Sequence, residues 1–290
     1  MINFHKYGFL DVKKLQRYTE SRNLWLSWHN PVWLFIWKDK YHPEIAYDNT
    51  FCFVRFFMPS VGVCYYPPFG QDLEHGLSLI QQDCREQGYD FNLSPADEYT
   101  CFRIQELGYE LKQNENQDNN IYFLEEIAFA KKSRARRSRM KRFQREHPLA
   151  YSREIRKEDF PAVLEFVEEY RQSFQVMQDM KYFENLNALK NMMEHLYEFD
   201  LLAVLLMEEE RIYGIAIGST MLNTVHLHIG IALREPLGAL DELYAGFAKA
   251  ALRSARYLCV EENMGIEESR IMLKKEKRLP TPVFYSTFRL

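Results

Sequence analysis

His226 and His228 alternate along the apolar run Thr224 to Ala232, and Glu261 with Glu262 ends a second such run that begins at Tyr257. If the first run is a strand, alternation turns both imidazoles to one face, where either can serve as a base. The same spacing suits two core histidines. A carboxylate at a strand end stands where open sheets usually place chemistry. There it can take the proton from an attacking amine, which is protonated at neutral pH and needs a base. Glu261 and Glu262 also read as acids ahead of a helix near Gly265, favourable through its dipole alone. No third ligand stands at a suggestive spacing from the histidine pair, so no metal is expected. No Gly-x-Ser-x-Gly nucleophile motif occurs. Chemistry here would therefore be direct, through proximity and proton removal, without a covalent intermediate.

A second chemistry is electrostatic. Nine of the fifteen residues from Lys131 to Arg145 are basic and none is acidic. The chain carries 37 Lys plus Arg against 41 Asp plus Glu, a net of −4, and outside this stretch the balance is 28 against 41. Like charges at i,i+4 repel on a helix, so such a segment suits an external polyanion. Arg134, Arg137, Lys141 and Arg145 share one side at spacings of three and four and are the expected contacts. Phe129, Met140 and Phe143 fall within about 60° of one another at about 100° per residue, a narrow stripe that touches the body. Glu125 and Glu126 near the start and Arg142 and Arg145 near the end suit the dipole, and Pro148 stops the helix. The alternative is a solvated linker. A third candidate is the turn Arg234 to Ala239, where Arg234 and Gly238 could hold an anion at a helix N-terminus. An acetyl-CoA loop would want Arg/Gln-x-x-Gly-x-Gly/Ala; Gly238 comes one residue late, and Pro236 also suits a simple helix start.

The elements that must position these groups follow from period and punctuation. In the first half, Val12 to Thr19 reads as a helix. All four tryptophans, Trp25, Trp28, Trp33 and Trp37, lie within 23–37 and read as core or cleft lining. Phe51 to Met58 and Val61 to Tyr66 form a hairpin. Asp72 opens a helix that Gly88 closes. Asp90 to Leu93 is a strand, Ser94-Pro95 opens the next helix, residues 112–120 are a polar loop, and Ile121 to Phe123 is a strand. In the second half, Tyr151 to Arg156 is a strand, helices follow to about Gln172 and over Tyr182 to Tyr197, and Leu201 to Met207 is a buried strand. Ile212 to Met221 and Thr224 to Ala232 are antiparallel. Leu237 to Arg256 is a helix, Tyr257 to Glu261 a strand, Ile266 to Lys277 a helix, and Pro282 to Phe288 a last strand. That is the element order of the GCN5-related acyltransferase (GNAT) fold, with a shorter version of it in the first half. The expected architecture is α/β (α+β), two tandem GNAT-like domains with mixed sheets flanked by helices. They are 1–130 and 149–290, joined by a basic helix over 131–148.

Five cysteines, Cys52, Cys64, Cys84, Cys101 and Cys259, are odd in number and far apart, which suits buried free thiols in a reducing compartment. The N-terminus lacks a signal pattern, and the longest apolar runs, Val32 to Trp37 and Leu201 to Met207, are far short of a membrane span. A cytoplasmic protein is expected.

The stretch YFLEEIAFAKKSRARRSRMKRFQREHPLAYSREI (122–155) resembles the Lys/Arg-rich segment of the phosphatidylglycerol lysyltransferase C-terminal-domain family, where a Tyr-rich strand leads into a basic helix. The stretch LHIGIALREPLGALDELYAGFAKAALRSARYLCVEENMGIEESR (227–270) resembles its His-Ile-Glu-Lys-Ala strand and Asn-Arg-Glu-Asp-Asp-Leu-Gly-Ile-Glu-Gly-Leu-Arg signature. His228 stands at the strand histidine, and Glu261, Gly265, Ile266, Glu267 and Arg270 match the signature. Gly230 and Ile231 replace the strand's Glu-Lys, Cys259 and Val260 replace Asn-Arg, Asn263 replaces an Asp, and Leu273 replaces a downstream Lys. The resemblance implies a tandem acyltransferase fold and an aminoacyl-tRNA donor. It supports Glu261 and His228 as catalytic and Arg137 and Arg270 as substrate or anion contacts; to these contacts the helical spacing adds Arg134, Lys141 and Arg145, and the helix-start turn adds Arg234 and Gly238. The acceptor would be an amine or hydroxyl, on a small molecule or a lipid head group. The departures remove charges that would meet a charged amino acid, so lysyl transfer does not follow. Two rivals stand beside this reading, an acetyl-CoA-dependent N-acetyltransferase and a polyanion-binding module, for RNA or an anionic membrane surface, without catalysis.

Overall fold

The computed structural model describes residues 2–22, 24, 26–59, 61–113, 119–173, 179–262, 279–281 and 284–288, with the backbone alone at 98, 112–113, 171, 173, 179–185, 261–262, 279–281 and 284–288. The helix expected over 266–277, and with it Arg270, lies outside the described residues, as does Trp25.

The first elements are β1 (His5–Lys6), α1 (Phe9–Ser21), α2 (Pro31–Ile36), α3 (Lys38–Tyr41), β2 (Glu44–Tyr47), β3 (Cys52–Met58) and β4 (Gly62–Tyr65). They continue with α4 (Leu73–Gln87), β5 (Phe91–Ala96), α5 (Glu98–Glu106), β6 (Lys112–Gln113) and β7 (Asn119–Phe123). Then come α6 (Leu124–Ala128), α7 (Arg134–Glu146), β8 (Tyr151–Glu154), α8 (Phe160–Ser173), α9 (Asp179–Glu194), β9 (Leu202–Glu208), β10 (Arg211–Met221) and β11 (Thr224–Ala232). The last are α10 (Ala239–Ala251), β12 (Tyr257–Glu262), β13 (Leu279–Thr281) and β14 (Phe284–Phe288). The strands form two seven-stranded mixed sheets, ordered β1-β2-β3-β4-β5-β14-β6 and β13-β7-β12-β11-β10-β9-β8. From β8 to β12 the order is the one expected of a GNAT-like fold.

Two compact units result, one of Met1–Asn119 with the last strand and one of Asn120–Glu261. In the first, α4 obeys its punctuation: Asp72 accepts from His75 N at 2.9 Å, and Gly88 closes the helix at φ 72°. β3 and β4 form the expected hairpin, with Met58 opposite Gly62. Phe51, Phe53, Leu77, Ile80, Phe91 and Ile104 are buried together in the core. Each contributes about 1.5–3 kcal/mol through apolar burial. Trp28 and Trp33 are core residues with ring centroids 4.3 Å apart.

Three boundaries differ from expectation. Ser94 and Pro95 do not open a helix; they extend β5, and Asp97 caps α5 by accepting from Thr100 N at 3.1 Å. Asn119 and Asn120, expected in a loop, are buried in β7, and Asn119 Oδ1 accepts from Ser27 N at 2.7 Å. The chain's last strand, expected to close the second domain, pairs instead with β5, with Phe284 opposite Ala96 and Phe288 opposite Phe91.

Candidate functional site

The helix expected to carry Phe129 together with the basic residues is broken ahead of them. α6 ends at Ala128, Ala130 takes a positive φ of 46°, and Ser133 restarts the chain by accepting from Arg136 N at 3.2 Å. Arg137 secures the break by donating to the carbonyls of Ala130 and Lys131 at 2.6 and 2.8 Å. Phe129, expected in the buried stripe, is therefore outside α7 and 52% exposed. Met140 and Phe143 are buried as expected.

The segment 131–148, expected to link two domains, is built into the second unit by α10. Asp241 in the first turn of α10 accepts from Arg136 Nε at 3.2 Å and from Arg139 Nε and Nη2 at 2.6 and 2.9 Å. Gln144 donates to Glu242 at 2.9 Å. Gly238, at φ 103°, sits where a Cβ would lie 2.3 Å from the Arg139 carbonyl oxygen. So the turn read as an anion cradle is packed against α7, and Gly238 is there because nothing larger fits and few other residues tolerate that φ. Arg234 is exposed, close enough to Tyr170 to lower its pKa against the larger rise caused by burial.

This docking sorts the nine cations. Lys131, Lys132 and Arg142 pair with Glu125, Glu126 and Glu146. Arg136 and Arg139 hold Asp241, and Arg137 holds the carbonyls. Arg134, Lys141 and Arg145 are exposed, without a hydrogen bond or ion pair among the described residues. At about 100° per residue these three lie within roughly 40° of one another and about 180° from Phe143. α7 thus buries one face and presents a row of three uncommitted cations on the other.

β10 and β11 pair from Gly214↔Ala232 to Met221↔Thr224, with a register shift between Ile217 and Gly218. The shift gives β11 one extra residue, so strict alternation is broken between His226 and His228. Both histidines are buried, and His228 Nε2 lies 2.8 Å from Ser219 Oγ. β11 and β12 run parallel, pairing Thr224↔Tyr257, Val225↔Leu258 and His226↔Cys259. Among the described residues that pairing ends there, so His228 and Gly230 on β11 and Glu261 on β12 lie beyond the paired stretch. Gly230 occupies the position where a Cβ would lie 2.7 Å from Tyr244 Cε1, and its carbonyl accepts from the Tyr244 hydroxyl at 3.4 Å. Burial pushes that phenol up to about 12, so it stays protonated and donates at neutral pH. A bulky α10 side chain fills the space beside the strand that a longer side chain at 230 would need. Glu261 is carried to the end of β12.

Sequence reasoning did not find Asp241, Ser219 or the cluster at the C-terminal end of α7. There His147 Nδ1 lies 2.9 Å from Glu208 Oε2 and 3.0 Å from the Tyr213 hydroxyl. Their partners are 105, 9, 61 and 66 positions away in the chain, and no local spacing signals such pairs. Among the described residues no three His, Cys, Asp or Glu side chains are grouped to hold a metal. No helix among them is long and apolar enough to cross a membrane.

A search of curated protein sequences finds no match. Among solved structures, a conserved protein of unknown function from Bacteroides thetaiotaomicron superposes with a TM-score of 0.90 at 19% identity, covering 100% of both chains. L-PGS from Bacillus licheniformis superposes at 0.62 with 12% identity, over 98% of this chain and 92% of that one. FemX does so at 0.62 with 10% identity, over 98% and 97%. At these identities the likeness is one of fold. The sequence family described as phosphatidylglycerol lysyltransferase, C-terminal, matches residues 26–269, and the chain belongs to that family.

Proposed function

We propose that the protein is an aminoacyltransferase-like acyltransferase that takes its aminoacyl group from aminoacyl-tRNA in the cytoplasm. The acceptor is an amine or hydroxyl, on a small molecule or a lipid head group. The acceptor nitrogen or oxygen attacks the ester carbonyl, the tRNA 3′ oxygen leaves, and the acceptor's proton passes to Glu261. His228, buried with its Nε2 2.8 Å from Ser219 Oγ, is the second residue assigned to catalysis. Arg270 keeps the substrate role implied by its match to the family signature. The observation that carries the donor assignment is the outward row Arg134, Lys141 and Arg145 on a helix otherwise neutralised and anchored. Acetyl-CoA is the weaker donor, because the Gly238 turn that would take its pyrophosphate is packed against the Arg139 carbonyl.

The test is tRNA binding at several salt concentrations. Replacing Arg134, Lys141 and Arg145 together by Gln is expected to weaken binding and to flatten the log–log salt slope by about 2.7, roughly 0.9 per phosphate contact on a duplex stem. The melting temperature should not change, since none of the three is packed. Wild-type affinity and slope in the triple variant would overturn the tRNA reading. Binding to anionic vesicles alone would replace it with a membrane-surface role.

A further inference from the structure

A cleft of about 770 Å³ in the second unit is lined by β8 and the segment after it, by Tyr197, and by one face of α10 running on to Arg253. None of His228, Gly230 and Glu261 lines it, nor does any cation of α7. Its volume is that of a small-molecule site. Arg153, Arg156, Lys249 and Arg253 line it with Glu154 and Glu242, and Asp159 pairs with Arg153 from outside the lining, a net of +1 on a chain whose net charge is −4.

The cations are organised. Asp159 takes two hydrogen bonds from Arg153, at 2.6 and 2.7 Å, and one from the Arg156 backbone N–H at 2.8 Å, which ties the segment after β8 into a rigid loop. Arg153 also donates to the Glu154 carbonyl at 2.9 Å. Tyr151 also hydrogen-bonds Arg153; a guanidinium has five N–H donors, so Arg153 keeps one for a ligand while its plane is already fixed. Arg156, Lys249 and Arg253 are exposed and make no side-chain hydrogen bond or ion pair among the described residues. Lys249 and Arg253 suit the dipole at the end of α10, but that does not account for two arginines arriving from β8. Beside them Tyr197 presents a ring that is 57% exposed, with Lys157 Nζ 5.3 Å from its centroid.

We infer that this cleft binds a nucleotide, its phosphates held by Arg153, Arg156, Lys249 and Arg253 and its base stacked on Tyr197. Guanidinium forks match phosphate oxygens two at a time, and a flat aromatic face accepts any base. The inference is independent of α7 and of the acyl donor.

Calorimetric titration of the full chain with ATP, inorganic pyrophosphate and adenosine tests it. ATP is expected to bind, pyrophosphate more weakly and adenosine weakest. Lys249→Gln with Arg253→Gln is expected to weaken ATP and pyrophosphate by roughly tenfold or more, the scale of one lost charge-assisted hydrogen bond. Tyr197→Ala should weaken ATP several-fold and leave pyrophosphate unchanged. Melting temperatures confirm that each variant folds. Failure of wild type to bind ATP at millimolar concentration would overturn the proposal. So would unchanged binding in the charge variant, or complete displacement of ATP by tRNA in wild type but not in the α7 triple variant.

Discussion

The proposed direct acyl transfer from an activated ester asks one thing of a side chain, acceptance of a proton, and Glu261 is the residue proposed for that part. Its backbone stands at the end of β12, beyond the last pairing with β11. Glu261→Gln keeps the shape and removes the basicity. Transfer should fall by about 10²–10⁴-fold while tRNA affinity and melting temperature stay at wild-type values. Undiminished turnover in single-turnover assays would remove Glu261 from the mechanism. At the same scale, Gly230 shows how a departure from the family pattern is absorbed. A residue that would bring charge to the strand is absent, and Tyr244 occupies the room with its hydroxyl turned to the Gly230 carbonyl.

At the scale of elements, α7 depends on its dock with α10. Arg136 is 7% exposed and pairs with Asp241, which Arg139 shares. Asp241→Asn would remove the negative charge from a buried, hydrogen-bonded ion pair, a loss of about 3–5 kcal/mol. Chemical denaturation should show this as a lowered midpoint, and the same variant should loosen tRNA binding because the outward cations lose their fixed row. The double variant Arg136→Met with Asp241→Leu should recover much of the stability, since replacing both partners of a buried pair by apolar groups of similar volume is often neutral. A single variant as stable as wild type would show that the pair does not anchor α7.

Across the whole molecule, buried and paired titratable groups set the acid limit of stability. Burial holds His29 in the first unit down to about 4, from an ordinary value near 6.5. The unfolded chain therefore binds a proton that the folded chain refuses, and stability is lost as pH falls from about 6.5 towards 4. In the second unit, hydrogen bonds from Arg153 hold Asp159 below the ordinary carboxyl range, and hydrogen bonding to His147 does the same for Glu208. Their contribution is present above the unfolded carboxyl value of about 4 and is lost as pH falls through the depressed folded values. Melting temperature measured from pH 7 to 3 should thus decline in two stages. His29→Gln should flatten the upper stage, and Asp159→Asn with Glu208→Gln the lower. Curves parallel to wild type in both variants would show that other groups govern acid unfolding.

What the sequence determined by itself is local. Period and caps locate α4, the β3–β4 hairpin, and β10 and β11, because each of these signals acts within a turn or two of the chain. Charge composition located the basic segment, and residues 122–155 and 227–270 carried the family. Tertiary structure decided which cations remain uncommitted. Arg136 and Asp241 are 105 positions apart, and only packing brings such groups together. It also decided the split between α6 and α7, the exposure of Phe129, and the return of β14 to the first sheet. A helical stripe drawn at a constant 100° per residue cannot foresee a positive φ at Ala130. A strand's sequence specifies that it needs neighbours, while the choice of neighbour rests on backbone pairing that all strands offer alike.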